Sequence, residues 1–206
     1  MTIELLNIDC MEYMATQPDG AFDLAIVDPP YGIGTGKMNL GKWQSSRLEK
    51  KDWDKYPPDA EYFKELRRVA KHQVIWGGNY YQLPPTRGFV IWDKGAGFKG
   101  RDFAECEMAW TSHDRNARVF PHDPLAAGDY KGKIHPTQKP VKLYEWLLAN
   151  YASNEMRILD THLGSGSSAI AAHYFGCDFV GCEIDPDYFN AAKERFDRET
   201  RQVAMF

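Results

Sequence analysis

The stretch Phe22-Asp23-Leu24-Ala25-Ile26-Val27-Asp28-Pro29-Pro30-Tyr31-Gly32 constrains this chain more than any other. An apolar, partly β-branched run reads as a buried strand, and Asp-Pro-Pro-Tyr stops it at a rigid turn. Each proline fixes its own φ and drives the residue before it out of the α region, so Asp28 and Pro29 are both held extended. Neither proline donates a backbone hydrogen bond. The turn therefore offers acceptors, the Asp28 carboxylate and the Pro29 carbonyl, beside the ring of Tyr31. A flat molecule with an NH₂ group suits that set: a nucleobase amine gives one hydrogen to each acceptor while its ring stacks on tyrosine. An Asp-capped structural turn after a core strand is the bland alternative, and a second motif far downstream weighs against it.

With 206 residues, of which 43% are hydrophobic, the chain is expected to form one domain, 1–206, rather than two. A net charge of −4 argues against a protein held to nucleic acid by overall charge, but a local basic patch remains open to it. Residues 33–58 supply one. Periodicity is lost there, and Lys37, Lys42, Arg47, Lys50, Lys51 and Lys55 surround Trp43 and Trp53 against only Glu49, Asp52 and Asp54. Cations meet phosphates and indoles stack on bases, so Lys37, Lys42, Trp43, Arg47, Lys50 and Lys51 are expected to contact nucleic acid. A solvated surface loop is the alternative. Cys10, Cys106, Cys177 and Cys182 show no CxxC spacing and no His/Cys cluster suggests zinc, so no metal and a reduced, cytoplasmic setting are expected. No stretch has the pattern of a signal peptide or the length of an apolar membrane span.

Taken in order, residues 3–8 predict a strand and Asp9 caps a helix running to about Thr16. Strand 22–27 follows. Ala60 to Lys71 is amphipathic, with Tyr62, Phe63, Leu66 and Val69 on one face, and leads to a strand at Val74-Ile75-Trp76. Phe89 to Trp92 is a further strand ending in Asp93-Lys94-Gly95, and Cys106 to Thr111 suits a sheet partner for it. Residues 112–134 give no assignment, and about 95–133 is, with 33–58, a loop stretch whose side chains are expected to reach base edges. His135-Pro136-Thr137-Gln138-Lys139-Pro140 precedes a helix with Leu143, Trp146, Leu147 and Tyr151 at helical spacing. Alternating strands and helices predict a parallel sheet.

The second motif is Arg157-Ile158-Leu159-Asp160-Thr161-His162-Leu163-Gly164-Ser165-Gly166-Ser167-Ser168-Ala169, a strand, a Gly-rich turn and an Ala-rich helix. Gly164 and Gly166 let a ligand approach the backbone closely. The next strand, 179–182, ends at Glu183-Ile184-Asp185, where a carboxylate can take both hydroxyls of a ribose. Gly-Ser-Gly-Ser-Ser-Ala also fits the GxGxxA of nicotinamide or flavin oxidoreductases, but that reading leaves the Asp-Pro-Pro-Tyr turn without a role. A nucleoside pocket beside an amine-orienting turn points instead to methyl transfer from S-adenosylmethionine to a base amine.

Asp28-Pro29-Pro30-Tyr31 resembles the signature of the amino-group DNA methyltransferases, and Asp160 to Gly166 resembles their cofactor loop. The catalytic motif precedes the cofactor motif, and His-Pro-Thr-Gln-Lys-Pro stands before the latter, as in the permuted β group of that family. The resemblance implies an α/β fold: a doubly wound, largely parallel, seven-stranded Rossmann-like sheet with helices on both faces. It implies catalytic Asp28, Pro29, Pro30 and Tyr31. It also implies cofactor-binding Asp9, Cys10, Lys139, Asp160, His162, Leu163, Gly164, Ser165, Gly166, Ser167, Glu183 and Ile184. Of these, Asp9 approaches the cofactor adenine, Glu183 its ribose, and Lys139 with loop 163–167 its methionine end. Thr161-His162 departs from the Pro-Phe of many relatives, which alters an aromatic contact. The expected reaction is methylation of adenine N6 in double-stranded DNA, with cytosine N4 as the near rival; Asp at the first motif position leans toward adenine by resemblance. An RNA or protein amide methyltransferase fits less well, since those usually carry Asn-Pro-Pro-Tyr after the cofactor loop. The small size resembles phage or prophage orphan enzymes, which leaves a partner endonuclease and a homodimer as open expectations.

Overall fold

The computed structural model describes residues 1–34 and 52–201. Their strands and helices alternate as β1 (Ile3–Asn7), α1 (Cys10–Ala15), β2 (Phe22–Val27), α2 (Ala60–Val69), β3 (Ala70–Trp76), β4 (Phe89–Asp93), β5 (Cys106–Thr111), β6 (Arg118–Pro121), α3 (Pro124–Ala127), α4 (Val141–Tyr151), β7 (Arg157–Asp160), α5 (Ser167–Phe175), β8 (Asp178–Glu183) and α6 (Pro186–Thr200). One short 3₁₀ turn covers Ala96–Phe98. The helix starts follow local chemistry. Asp9, Asp59, Asp123 and Asp185 cap α1, α2, α3 and α6 by accepting from backbone N–H groups of the first turn, and proline opens α3 and α6.

The eight strands form one sheet in the order β1-β8-β7-β2-β3-β5-β4-β6. All neighbouring pairs are parallel except those made by β5, which runs against both β3 and β4. The sheet is doubly wound and mostly parallel, as expected, but has eight strands rather than seven. The added strand is β6, on the outer edge beside β4. Its Arg-Val-Phe-Pro sequence is largely exposed, so it carries no apolar alternation by which to be recognised. The short helix α3 also lies in the region the sequence left unassigned, the rest of which is turns and loop. The helix expected to run to Lys71 ends at Val69, because the chain enters β3 at once and Ala70 already has extended backbone.

Residues alternate across the sheet, so each strand feeds two cores. Leu24, Ile26, Val74, Trp76, Ile158 and Phe179 pack with Leu143 and Leu147 of α4 and Ala171 and Ala172 of α5. Phe22, Val27, Ile75, Leu159 and Val180 pack on the other face with Met14 of α1 and Tyr62, Phe63 and Leu66 of α2.

This winding fixes where a ligand can sit. From β7 the chain crosses through α5 to β8, toward one edge; from β2 it passes through α2 to β3, toward the other. The order reverses at the β7–β2 seam, where Leu24 and Ala25 lie beside Ile158 and Leu159. Crevices beyond the carboxyl ends of strands at such a reversal are the usual binding sites of open α/β sheets. Asp28, Gly77, Lys94, Thr161 and Ile184 each follow the end of a parallel strand at this edge, and the reversed β5 brings its start, Cys106 and Glu107, to the same edge. Leu147 is fully buried under it in α4. Leu147→Ala is expected to lower unfolding free energy by about 2–5 kcal/mol through lost burial and a residual cavity, measured by urea denaturation.

Candidate active site

The acceptor turn stands at the end of β2, and its acceptors already hold donors. Asp28 Oδ1 accepts from the Tyr31 hydroxyl at 2.8 Å, and Oδ2 accepts from Lys139 Nζ at 2.5 Å. Tyr81 Oη donates toward the carbonyls of Pro29 and Pro30 at 2.8 and 3.0 Å, which fixes the double-proline backbone. A carboxylate has about four lone-pair positions and a carbonyl two, so each acceptor keeps capacity for an incoming N–H. Tyr31 lies against Gly77, where a Cβ would come within 2.3 Å of its ring. Its ring also stacks on that of Tyr80, with centroids 4.8 Å apart and planes 16° from parallel.

Lys139 is nearly inaccessible, with its side chain 4% exposed, and it has a second anionic partner in Glu107 Oε2 at 3.1 Å. Glu107 Oε1 in turn pairs with Lys94 Nζ at 2.6 Å. Burial opposes charge on Asp28, Glu107 and Lys139. For Glu107 that effect is overcome by the ammonium groups of Lys139 and Lys94, and its carboxyl is brought down to about 2. For Lys139, Asp28 and Glu107 overcome burial and hold the ammonium above the ordinary lysine value. For Asp28, burial wins over the pull of Lys139, with Glu107 adding to the rise, so its carboxyl titrates above the ordinary aspartate value. A cavity of about 550 Å³ opens over this floor, walled by Trp53, Phe98, Phe103, Tyr130 and Lys133. Burial brings the Lys133 ammonium down to about 8 and the His135 imidazole down to about 3, so the latter is neutral at physiological pH.

The Gly-rich loop lies across the seam. Gly164 and Gly166 have φ of +53° and +75°, a backbone that only glycine adopts without strain. A Cβ on Gly164 would meet nothing nearer than the His135 ring at 3.8 Å, so the loop surface is open there. Its shape is set by carboxylates. Asp160 accepts from the His162 amide at 3.0 Å and the Ser168 hydroxyl at 2.6 Å, while burial raises its carboxyl to about 7. Glu183, at the tip of β8, accepts from the amides of Gly164 at 2.9 Å and Asp185 at 3.0 Å. Leu163 packs over Gly181, where a Cβ would lie within 2.8 Å of it.

The other expected residues distribute as follows. Asp9 Oδ1 accepts from the Met11 amide at 2.7 Å, as an N-cap, and burial lifts the neighbouring Cys10 thiol to about 12. Ser167 turns inward: its hydroxyl donates to the Lys139 carbonyl at 2.7 Å and accepts from Arg195, which also holds the Ser165 carbonyl. Ile184 is 64% exposed beside the loop. His162 is neutral, its imidazole lowered to about 4 by burial, and sits edge-on to Tyr62 with ring centroids 5.5 Å apart. The Lys139 ammonium lies not toward loop 163–167 but on Asp28; only its backbone carbonyl meets that loop. Lys37, Lys42, Trp43, Arg47, Lys50 and Lys51 lie outside the described residues. Lys94, Glu107, Tyr80 and Tyr81 escaped the sequence reading. The signal for Glu107 was available as a lone carboxylate inside the apolar run Cys-Glu-Met-Ala-Trp-Thr. Among the described residues, no group of three His, Cys, Asp or Glu is placed to hold a metal ion, and no helix is long and apolar enough to cross a membrane.

A family model described as DNA methylase matches residues 91–194, half of the chain. The chain belongs to this family, the N6/N4 amino DNA methyltransferases that use S-adenosylmethionine. Over 91% of its length it is 28% identical to a methylase named YubD from Escherichia coli (strain K12), of which it covers 87%. Its fold matches the M1.HpyAVI-SAM complex with a TM-score of 0.62 at 18% identity, covering 94% of this chain and all of that one. It matches the cytosine-N4-specific PvuII DNA methyltransferase with a TM-score of 0.61 at 14% identity, covering all of this chain and 89% of that one.

Gly77 combines a φ of +71° with direct contact to the Tyr31 ring. Gly77→Ala is therefore expected to destabilise the fold by about 1–3 kcal/mol from backbone strain and from the displaced ring, seen as a lowered thermal midpoint.

Proposed function

We propose that this DNA methyltransferase acts on adenine, transferring the methyl group of S-adenosylmethionine to the N6 amine of a base flipped out of double-stranded DNA. The observation that carries the reading is the pairing of the Asp28 and Pro29 acceptors with an open Gly-rich loop across one sheet reversal. The loop fits the cofactor: Gly164 leaves room above its backbone, Glu183 stands at the strand tip with lone pairs to spare, and Ile184 offers an apolar face. In this reading Glu183 holds the ribose, Asp9 and Cys10 border the adenine, and loop 163–167 faces the methionine end. The cofactor supplies an electrophilic methyl group on a sulfonium.

The amine is a poor nucleophile because its lone pair is delocalised into the ring. Hydrogen bonds from its two N–H groups to Asp28 and the Pro29 carbonyl favour a pyramidal nitrogen and aim the lone pair, so catalysis is mainly positioning and electrostatics. The nitrogen gains a methyl and becomes cationic, the sulfur keeps the electron pair of the broken bond, and Asp28 takes the proton that the nitrogen sheds. A carboxyl titrating above the ordinary aspartate value is a better proton acceptor than a free one.

Cytosine N4 is the second reading, favoured by the likeness in fold to the cytosine-N4-specific enzyme. Nucleoside mass spectrometry of DNA methylated by the purified protein separates the two: N6-methyladenine is expected, and N4-methylcytosine as the product would overturn the choice of base. We further place the enzyme in the cytoplasm as one methyltransferase domain, 1–206, with its DNA clamp in 33–58 and its target-recognition region in about 95–133.

Asp28→Ala is expected to abolish methyl transfer while leaving cofactor affinity near the parent value. Glu183→Ala should do the reverse in kind, weakening cofactor binding by about 1.5–3 kcal/mol for lost charge-assisted hydrogen bonds. Calorimetry with S-adenosylmethionine and a methylation assay on both variants check this division. Replacing Lys42, Arg47, Lys50 and Lys51 together with alanine should weaken DNA binding at every sequence and reduce the log–log salt slope by about 0.9 per lost phosphate contact, read by fluorescence anisotropy at several salt concentrations.

A further inference from the structure

Four charged side chains from four separate parts of the chain meet in a row under the cavity. Asp28 follows β2, Lys139 precedes α4, Glu107 lies in β5 and Lys94 follows β4. Their signs alternate, with contacts of 2.5 Å from Asp28 to Lys139, 3.1 Å from Lys139 to Glu107 and 2.6 Å from Glu107 to Lys94. Lys139 and Lys94 are 4% and 9% exposed, and Asp28 and Glu107 only 15% and 21%. Burying ion pairs contributes little net stability, because desolvation offsets most of the attraction, so folding alone does not account for a row of this kind.

We propose that Glu107, itself held by Lys94, is a positioning residue for methyl transfer: it fixes Lys139 against Asp28 and divides the charge of that ammonium between two carboxylates. The inference rests on the reading given above, in which Asp28 accepts hydrogen bonds and then a proton from the base amine. With Asp28 as its only anionic partner, Lys139 would hold that carboxylate as a tight one-to-one pair and weaken it as an acceptor. Glu107 draws part of the ammonium away and places its own negative charge near Asp28, both of which keep Asp28 proton-accepting. Lys94 in turn balances Glu107, leaving the row neutral overall. The titratable groups facing Asp28 are Tyr31, Tyr81, Lys139 and Glu107, with Tyr144 and Asp160 nearby. Among these, Glu107 is the carboxylate that shares Lys139 with Asp28.

The test is the pH profile of the single-turnover rate of methyl transfer to unmethylated genomic DNA at saturating S-adenosylmethionine. Its acid limb reports protonation of Asp28. Glu107→Gln should lower the rate at neutral pH by about ten-fold or more, a part of the roughly 10²–10⁴-fold that acid–base catalysis typically contributes, and should move the acid limb to lower pH because a negative neighbour is lost. Cofactor affinity by calorimetry should not change. Glu107→Gln leaves Lys94 buried without its partner, so the double variant Glu107→Gln/Lys94→Met, which removes that penalty, should show the same displaced limb. Glu107→Asp keeps the charge but shortens the reach: the rate should fall with the limb in its parent position. An acid limb unmoved in the Gln variants, or a rate loss matched by an equal loss of cofactor affinity, would overturn the inference while leaving the proposed function standing. A parent protein that methylates no DNA overturns the proposed function, and the inference with it.

Discussion

Lys139 reaches from the segment before α4 to a carboxylate 111 residues earlier in the chain, at the end of β2. An ammonium so well buried is tolerated only with its charge and donors satisfied, and Asp28, Glu107 and the Tyr31 hydroxyl at 3.3 Å do this. The same residue also accepts, through its backbone carbonyl, the hydroxyl of Ser167 at the start of α5. One lysine therefore joins the acceptor turn to the Gly-rich loop by its two ends. The two halves already stand side by side, because the strands they follow, β2 and β7, are neighbours in the sheet.

The sheet supplies the frame for that contact. A parallel sheet brings the carboxyl ends of its strands to one edge, and the reversal at the β7–β2 seam opens a crevice there. β5 contributes differently from the other strands. Because it alone among the described strands runs backward, its first residues rather than its last lie at the functional edge, and Glu107 is thereby placed opposite Lys94 and Lys139. Reversing that one strand adds an anion to a region that strand ends alone furnish with Asp28 and Lys94.

Much of this was legible in the chain, and the division follows the range of the forces involved. The strand 22–27, the turn at Asp28, the capping of α1 by Asp9 and the Gly-rich loop are local: each is specified by residues a few positions apart, so spacing reveals them. Glu183 was legible as a strand-tip carboxylate. The direction of the Lys139 side chain was not, because it is decided by Asp28 and Glu107, which are remote in sequence. Glu107 was hidden for the same reason: a lone acid in an apolar strand is costly unless paired, and its partners lie on other elements. Edge strand β6 escaped because exposure removes the apolar alternation by which strands are recognised, and the inward turn of Ser167 depends on Arg195, a contact between two helices.

The stacking of Tyr31 on Tyr80 bears on how a base could enter. On the proposed function a flipped base takes a place beside Tyr31, whose ring already touches Gly77 and Tyr80. The base must therefore displace Tyr80, itself 45% exposed, or stack elsewhere in the cavity. An aromatic pair is worth about 0.5–1.5 kcal/mol beyond its area, and stacking a base on an aromatic ring about 1–3 kcal/mol. The exchange gains on the order of 1 kcal/mol, while unstacking the base from duplex DNA costs a few. Stacking on Tyr31 thus cannot by itself hold the base outside the helix. The remainder has to come from hydrogen bonds that a stacked base cannot make, those to Asp28 and the Pro29 carbonyl, and from contacts to the DNA backbone. A base lacking an exocyclic amine would enter the same cavity and gain the same stacking, but would leave both acceptors short of a partner, so selection for an amine falls on the turn rather than on the aromatic walls.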